Sequence, residues 1–404
     1  MTEILVLGAG YAGLKTVTKL QKKAAGKCHI ILVDKNDYHY EATDLHEVAA
    51  GTEPKEKISY PIRDVLNPKV TTFIQDEVLS VDTANKQAIL KNSGTIKYDY
   101  CVVSLGFVSE TFGIPGALDN ALQMVNIETA ENIHNHIVKM MQTYQETKDP
   151  ELLNIVVCGA GFTGIELAGA LIDARPQYAK LAGVTADEIN IIVVEASTRL
   201  LPMFSEKMAE YGVNLVKKLG VKLMTGCMIK EIQPGQVLYQ VKEGEETKDG
   251  SVKAKTIIWT TGVSGSPVMR ESGFSERRGR VIVTDHLTDP DNDDVYILGD
   301  VAAFMDKETN RPYPTTAQIA TRMGAYTAED IAARLDGGRA GEFTYQSAGT
   351  VASVGNTHAF GVVGKNEIKG YPASVVKKMI MNKSLMDIGG VKELLAKGRF
   401  DLYH

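Results

Sequence analysis

The chain has 404 residues, of which 44% are hydrophobic and 23% are charged. This composition is typical of a folded globular protein and excludes the collagen-like and intrinsically disordered classes. A formal net charge of −6 speaks against a nucleic-acid binder, because such proteins usually need a broad cationic face. The four cysteines form no C-x-x-C pair, so the sequence indicates neither a metal cluster nor a vicinal redox disulfide.

The first predicted elements form a dinucleotide-binding unit. An apolar strand at residues 3–7 runs into a G-x-G-x-x-G segment at 8–13, which is followed by a helical pattern. A second strand at 29–33 then ends at Asp34. In this arrangement the glycines allow a tight turn, the approach of a pyrophosphate and close helix packing, and the acid accepts hydrogen bonds from a ribose.

The same order recurs in the middle of the chain, with a strand at 153–158, a fingerprint at 159–164 and a strand at 189–194 that ends at Glu195. One glycine-rich turn can simply pack tightly, but two complete copies predict two bound dinucleotides. A carboxylate at 195 accepts a hydrogen bond from a ribose 2′-OH and repels a 2′-phosphate, which favours NADH over NADPH. Arg199, four residues further on, weakens this inference slightly.

Three later strands suggest how the two units are connected. Strands at 99–105 and 256–261, each closed by a glycine, fall where the chain would cross between the units. A buried strand at 294–298 ends in Gly299 and Asp300, which places a carboxylate at the strand edge where α/β sheets bind ligands. A solvated turn aspartate is an equally simple explanation of that last residue.

The pattern changes after about residue 330. Short strands at 343–345, 350–354 and 359–363 predict a small antiparallel sheet, and Pro372 can start a helix. In that helix Val375, Val376, Met379 and Ile380 form an apolar stripe, with Lys377 and Lys378 beside it, and a shorter helix follows through Val391, Leu394 and Leu395.

The C-terminal segment, residues 371–404, is basic in an acidic protein. It has six basic and three acidic residues, hence +3, which leaves −9 for the rest of a −6 chain. A basic amphipathic helix is typical of an anchor on anionic lipid, although a helix that covers a domain or a dimer interface has the same pattern. No window of the sequence reaches the roughly 18–20 consecutive apolar residues of a membrane span.

Taken together, these motifs resemble the two-dinucleotide-binding-domain flavoproteins, in which the first site holds FAD and the second, inserted one holds NAD(P)H. Within that superfamily four segments look like type II NADH dehydrogenase, the non-pumping NADH:quinone oxidoreductase. They are YHYEATDLHE at 38–47, GFTGIE at 161–166, LPMFS at 201–205 and PTTAQIA at 314–320.

The resemblance implies an α/β fold with two Rossmann-type domains and a C-terminal amphipathic-helix region that anchors the chain to the membrane. The FAD-binding domain would comprise residues 1–110 and 276–330, the NADH-binding domain 111–275, and the small sheet and anchor helices 331–404. The chain would bind one FAD non-covalently and pass electrons from NADH to a membrane quinone in a respiratory chain. It would lie on the cytoplasmic face of the membrane as a monotopic protein, and a homodimer is compatible with this arrangement.

The resemblance also implies site residues. Glu166 would act between the nicotinamide and the flavin, Gln318 would face the quinone, and Glu166 or Lys377 would deliver protons. The implied FAD contacts are Gly8, Gly10, Tyr11, Ala12, Gly13, Asp34, Lys35, Thr43, Val78, Gly106, Gly299, Asp300, Thr316, Ala317 and Gln318. The implied NADH contacts are Gly159, Gly161, Phe162, Thr163, Gly164, Glu166, Glu195, Thr261 and Gly262, and the implied quinone contacts are Gln318, Arg322, Gly324 and Ile380.

Simpler interpretations of some of these residues stay open. Glu166 can be an acid that the helix dipole favours, and Thr316 can be a helix cap with no further role. An apolar neighbourhood would raise the pKa of Glu166. Arg322 stands where the family often has a second glutamine that could form a hydrogen bond with the quinone. At this position the sequence departs from the family pattern.

Two other functions fit parts of the sequence. Sulfide:quinone oxidoreductases share the double fingerprint, but they need a reactive cysteine late in the chain, and no cysteine follows Cys227. A flavin- or NAD-binding redox sensor whose tail docks a partner protein has no sequence feature against it.

Overall fold

The first sheet of the protein contains the N-terminal fingerprint. A computed structural model describes residues 1–244 and 246–401. The sheet has six strands, in the order Thr288–Asp289, Asn292–Ile297, Tyr100–Val103, Thr2–Leu7, Cys28–Asp34 and Thr71–Gln75. All neighbours except the first pair are parallel. In the strand Thr2–Leu7, residues 4–7 are apolar and fully buried, as is typical of a parallel strand that is covered on both faces.

The second sheet contains the other fingerprint and is parallel throughout. Its order is Leu122–Gln123, Thr256–Trp259, Asn154–Cys158, Asn190–Glu195 and Lys222–Thr225. In both sheets the two strands of the fingerprint unit pair in parallel, with a helix between them in sequence. The two predicted strand–helix–strand units are therefore confirmed.

The helices within the described residues are numbered here in chain order. They are α1 (Tyr11–Lys23), α2 (Leu45–Ala50), α3 (Lys55–Ile58), α4 (Ile127–Thr147), α5 (Phe162–Ala182), α6 (Glu206–Lys218), α7 (Val268–Glu271), α8 (Ala317–Leu335) and α9 (Tyr371–Lys397). Short 3₁₀ turns lie at Ala42–Asp44, Ile62–Val65, Pro150–Leu153, Ala186–Glu188 and Gly299–Val301.

Smaller antiparallel sheets surround these two layers. Three-stranded sheets are formed by Val78–Asp82, Gln87–Leu90 and Gly94–Lys97, and by Cys227–Gln233, Gln236–Glu243 and Glu246–Lys253. A mixed sheet joins Glu276–Arg277, Arg280–Ile282 and Ala302–Ala303, and two-stranded pairs join Tyr38–Tyr40 to Ser59–Pro61 and Met305–Asp306 to Arg311–Pro312.

A two-stranded ribbon links the two large sheets. Phe107–Ser109 pairs antiparallel with Val263–Gly265, and each strand begins just after one of the two predicted crossing strands. The indole N–H of Trp259 donates to the Glu110 carbonyl (2.9 Å), which fastens the ribbon to the second sheet. The predicted crossings are therefore confirmed, while the domain boundaries at 110, 275 and 330 stay predictions.

Helix α8 packs directly on α1. A Cβ at Gly324 would lie 2.2 Å from the Ala12 carbonyl oxygen, so only glycine permits this close approach. The Thr16 hydroxyl also donates to the Gly324 carbonyl (3.2 Å). Gly324 is thus buried between two helices, a placement that does not fit the predicted quinone contact at this residue.

The C-terminal sheet differs from the prediction at its first strand. Its strands are Gly349–Val354, His358–Val363 and Asn366–Gly370, and residues 343–345 belong to none of them. The Phe343 ring is buried instead, at 5.0 Å from the Phe304 ring. The aromatic residues Phe343 and Tyr345 therefore pack against other rings, and Thr344 between them is exposed.

Helix α9 consists of two helical segments, as predicted, because Gly390 interrupts it with φ 76° and ψ −168°. An anchor on anionic lipid would need the basic side chains beside the apolar stripe to face outward, and Lys377 and Lys378 do not. Lys377 is largely buried beside Glu166, and Lys378 donates to the carbonyl oxygen of Asp401 (2.6 Å) and to its carboxylate (3.1 Å). The partners of these two ammonium groups are therefore acids of the protein itself.

The outward face of α9 and the residues after it is mostly apolar, although Lys383 and Lys392 are also exposed on this helix. Its exposed hydrophobic side chains are Tyr371, Met379, Ile380, Met386, Val391, Leu395 and Phe400. Among the described residues, none of the helices combines the length and the hydrophobicity that a bilayer crossing requires.

Candidate functional site

The first fingerprint forms an open cradle at the start of α1. Gly8 has φ 96°, and a Cβ there would lie 2.3 Å from the Ser104 carbonyl oxygen. A Cβ at Gly13 would lie 1.9 Å from the Gly8 oxygen, whereas a Cβ at Gly10 would meet no atom within 4 Å. The free space over the helix N-terminus at Gly10 fits a pyrophosphate, which free N–H groups and the helix dipole would bind.

The second fingerprint repeats this geometry at the start of α5. Gly159 has φ 104° and lies against the Thr261 backbone, and a Cβ at Gly164 would lie 2.0 Å from the Gly159 oxygen. Gly161 again has open space around it. Among the described residues, the buried Thr261 hydroxyl finds no hydrogen-bond partner, which fits a polar ligand at this cradle.

Each cradle has its acid in place. The Asp34 carboxylate accepts the N–H of Ala9 (2.6 Å), and the Glu195 carboxylate accepts the N–H of Ala160 (2.7 Å). The other oxygen of each accepts the N–H two residues further along the chain, at 2.8 Å in both cases. Burial raises the pKa of Asp34, and these backbone hydrogen bonds oppose the rise. Both carboxylates therefore lie beside the turn where a bound ribose is expected.

Two further segments meet at the first cradle. A Cβ at Gly299 would lie 3.6 Å from the Ala12 Cβ and 3.8 Å from the Ala320 Cβ, so the turn of Gly299 and Asp300 sits between α1 and α8. Thr316 caps α8 by accepting the Ile319 N–H (3.3 Å). Burial raises the pKa of Asp300, while Arg280 and the Thr315 hydroxyl lower it. The resemblance implied that the Gly299–Asp300 turn and the start of α8 belong to the same site as the first fingerprint, and the structure brings these three segments together.

The remaining predicted FAD contacts fall in different environments. The Tyr11 hydroxyl lies 3.3 Å from the Thr43 hydroxyl, so these two side chains meet at the start of α1. Lys35 is exposed just after Asp34, and Val78 is buried at the start of its strand. Gly106 has φ 69° and open space around it, where the chain turns into the ribbon.

Glu166 and Lys377 form a buried ion pair between α5 and α9. Glu166 Oε1 accepts Lys377 Nζ (2.8 Å) and both the N–H and the hydroxyl of Ser353 (3.1 Å each). Burial raises the pKa of Glu166, but Lys377 and His46 outweigh it and the net shift is downward. The surroundings of Glu166 are therefore ionic, and the rise expected for an apolar neighbourhood does not occur.

A group of charged residues around this pair was missed by the sequence analysis. Arg399, after α9, forms ion pairs with Glu47 and Glu53 and lies 3.9 Å from Asp44. Burial and the neighbouring Asp44 carboxylate raise the pKa of Glu47, and Arg399 offsets part of this rise. The segment YHYEATDLHE contains two of these acids, Asp44 and Glu47, but their partner Arg399 lies too far away in sequence to be recognised.

A second buried acid ties α9 to α1. Glu41 Oε2 accepts the hydroxyls of Tyr11 (2.9 Å) and Ser384 (2.7 Å), and its other oxygen lies 4.0 Å from His39 Nε2. Burial, with a smaller contribution from Asp44, raises the pKa of Glu41 to about 8. Burial lowers the pKa of His39 to about 4. At neutral pH the acid is therefore mostly protonated, and the imidazole is neutral.

Gln318 lies in the first turn of α8, where its amide oxygen accepts the Tyr345 hydroxyl and the Ala348 N–H, both at 2.8 Å. Arg322 is exposed one turn further along the same helix face. Ile380 is 46% exposed on α9. Of the four predicted quinone contacts, these three remain accessible and Gly324 does not.

Comparisons with known proteins agree with this geometry. Residues 2–324 match the pyridine nucleotide-disulphide oxidoreductase family. The chain is 40% identical to the type II NADH:quinone oxidoreductase of Staphylococcus saprophyticus and 41% identical to that of Staphylococcus haemolyticus, with 98% of both chains covered in each case.

Two solved structures have the same fold. The NDH2 of Plasmodium falciparum in complex with NADH superposes with a TM-score of 0.87 at 16% identity, over 98% of this chain and 97% of that one. The sulfide:quinone oxidoreductase of Aquifex aeolicus superposes with a TM-score of 0.78 at 19% identity, over 100% and 96%.

The Glu41 carboxyl predicts a pH-dependent stability. The folded state holds this proton more tightly than the unfolded state, so its stabilising effect is lost as pH rises toward about 8. Between pH 7 and 8 this corresponds to about 1 kcal/mol of the free energy of unfolding. Denaturant titrations at pH 7 and pH 8 should therefore show a smaller decrease in the free energy of unfolding for Glu41→Gln than for wild type.

Glu146→Gln, which changes an exposed acid on α4, should follow the wild-type pH profile. Equal pH profiles for wild type and Glu41→Gln would show that Glu41 does not hold a proton in the folded protein.

Proposed function

The chain belongs to the type II NADH:quinone oxidoreductases, and we propose that it oxidises NADH through one bound FAD and passes the electrons to a membrane quinone. The observation that carries this proposal is the pair of open cradles, of which only the first is joined by the Gly299–Asp300 turn and the start of α8. When bound, FAD supplies the redox chemistry, since a flavin takes a hydride from NADH and can reduce a quinone. No step in this reaction requires proton pumping.

The first cradle is the better place for FAD, because it offers contacts along a whole extended dinucleotide. The N-terminus of α1 would bind the pyrophosphate and Asp34 a ribose, while Asp300 and the capped start of α8 lie further along the same crevice. The second cradle, with Glu195 and Thr261, would bind NADH. The full sets of contacts predicted from the sequence, apart from Gly324, form part of this proposal.

The pair of Glu166 and Lys377 would act between the two cradles. Glu166 lies on the helix that starts at the second cradle, and its partner Lys377 lies on α9 beside exposed apolar residues. We assign to Glu166 the orientation of the nicotinamide, and to Lys377 the holding of that carboxylate. The proton of this ion pair is on Lys377, which donates it to Glu166 in a hydrogen bond, so Lys377 would be the group that supplies a proton toward the quinol.

Sulfide oxidation is less well supported, although the fold is shared with a sulfide:quinone oxidoreductase. All four cysteines, Cys28, Cys101, Cys158 and Cys227, are buried and unpaired. Burial raises the pKa of each of these thiols, which makes them poor nucleophiles. A redox sensor would require neither the Glu166–Lys377 pair nor the half-buried Gln318 amide.

The exposed apolar face of α9 suits a peripheral position on the membrane. We propose that the protein lies on the cytoplasmic face through this surface, which would bring it to a quinone dissolved in lipid. The basic side chains of residues 371–404 contribute less to binding of anionic lipid than the sequence suggested. Lys377, Lys378 and Arg399 face acids of the protein instead. The alternative is that the same apolar face is buried in the interface of a homodimer.

Substitution at the two open glycines tests the assignment of the cradles. Gly10→Val should give a folded protein without flavin, because the side chain would fill the space of the pyrophosphate. Gly161→Val should keep its flavin but lose NADH-dependent bleaching of the flavin absorbance.

Gly341→Val is the matched control, since Gly341 also has open space around it but belongs to neither fingerprint. It should retain both properties. Retention of flavin by Gly10→Val would contradict the assignment of FAD to the first cradle.

Glu195 predicts the choice of coenzyme. Wild type should prefer NADH, and Glu195→Gln should narrow the gap in kcat/KM to NADPH by about three- to tenfold, because it removes the repulsion of a 2′-phosphate. Glu210→Gln, an exposed acid on α6, should leave the ratio unchanged. If wild type uses both coenzymes equally well, the assignment of Glu195 to the ribose is wrong.

Membrane binding can be tested at Leu395, which is 71% exposed on α9. Wild type should co-sediment with anionic phospholipid vesicles at low and at high salt, since apolar burial provides most of the affinity. Leu395→Glu should remain in the supernatant with its flavin intact. Leu118→Glu, at a position 64% exposed before the second sheet, should behave as wild type.

If wild type stays in the supernatant and sediments as a dimer in solution, the apolar face covers a second copy and the membrane proposal falls.

A further inference from the structure

The orientation of the Gln318 amide is fixed by its neighbours. Its Oε1 atom accepts two hydrogen bonds at 2.8 Å, from the Tyr345 hydroxyl and from the Ala348 N–H. A backbone N–H can only donate, so the amide atom that it meets is the oxygen and not the nitrogen. Within residues 1–244 and 246–401, Gln318 Nε2 has no hydrogen-bond acceptor. Two N–H donors are therefore free to meet a ligand.

Tyr345 is held in place by aromatic packing. Its ring meets that of Tyr313 edge-on at 5.2 Å, and the Tyr313 ring stacks on Phe304 at 5.8 Å. Phe343, two residues earlier, is buried against the same Phe304 ring. The segment of residues 343–348 is thus anchored without belonging to any strand, and it presents one hydroxyl and one N–H to the start of α8.

We propose that Tyr345 is a positioning residue for the quinone reaction. By donating to Gln318 Oε1, it directs the amide NH₂ group outward, where it can donate to a quinone carbonyl oxygen. The opposite orientation would present an amide oxygen to that carbonyl, and two acceptors cannot form a hydrogen bond. This inference rests on the proposed role of Gln318 at the quinone site and adds the reason why its donor side faces the substrate.

The hydroxyl of Tyr345 can be removed without disturbing the ring. Tyr345→Phe keeps the aromatic contact with Tyr313, and Ala348 still holds the amide from one side. In anaerobic stopped-flow experiments with a short-chain ubiquinone, reoxidation of the reduced flavin should slow by about three- to tenfold, as for one neutral hydrogen bond. Reduction by NADH should be unchanged. Tyr313→Phe, in the same aromatic group, is the matched control and should keep both rates.

A double-mutant cycle shows whether Tyr345 acts through Gln318. If it does, Tyr345→Phe should cause no further loss in a Gln318→Ala background. Additive losses, or equal slowing of both half-reactions, would mean a general structural role and would overturn the inference. Flavin content and unfolding temperature establish that each variant is folded.

The two proposals fail in different ways. If Gln318→Ala slows reoxidation and Tyr345→Phe does not, the positioning role of Tyr345 is wrong and the quinone role of Gln318 stands. If Gln318→Ala leaves reoxidation unchanged, the quinone role itself is wrong, and the inference about Tyr345 falls with it.

Discussion

The buried ion pair of Glu166 and Lys377 is the contact on which the arrangement of the site depends. It joins α5, which starts at the second nucleotide cradle, to α9 at a distance of 2.8 Å. Breaking a buried pair leaves an unpaired charge and typically costs about 3–5 kcal/mol. Neither helix can therefore move away from the other at low cost, and α9 is held with Lys377 toward α5.

This constraint explains the unusual surface of the C-terminal helix. Ser384 on the same helix donates to the buried Glu41, and Lys378 donates to Asp401, so both side chains are used within the protein. The face that remains outward is mostly apolar. An ordinary surface helix has the opposite arrangement. The same helix thus completes an ionic site on one side and exposes a mostly apolar surface on the other.

The parts of the fold that could be predicted are those that short stretches of sequence determine. The glycines, the apolar runs and the acid at the end of each second strand lie close together in sequence, so they predict both strand–helix–strand units. The cap at Thr316 is predicted in the same way. The partners of the site residues were not, because Lys377 reaches Glu166 across 211 positions and no local pattern encodes that contact. For the same reason the sequence predicts a strand at residues 343–345, although core packing of Phe343 and a hydrogen bond from Tyr345 to Gln318 determine the conformation there.

An anaerobic titration of the purified protein tests most directly whether it passes electrons from NADH through its bound FAD to a quinone. The flavin absorbance should bleach at about one NADH per bound FAD, and it should return on addition of about one equivalent of a short-chain ubiquinone. A flavin that stays oxidised in excess NADH would contradict the assignment of the second cradle. A flavin that NADH reduces but quinone does not reoxidise would contradict the assignment of the quinone as the electron acceptor.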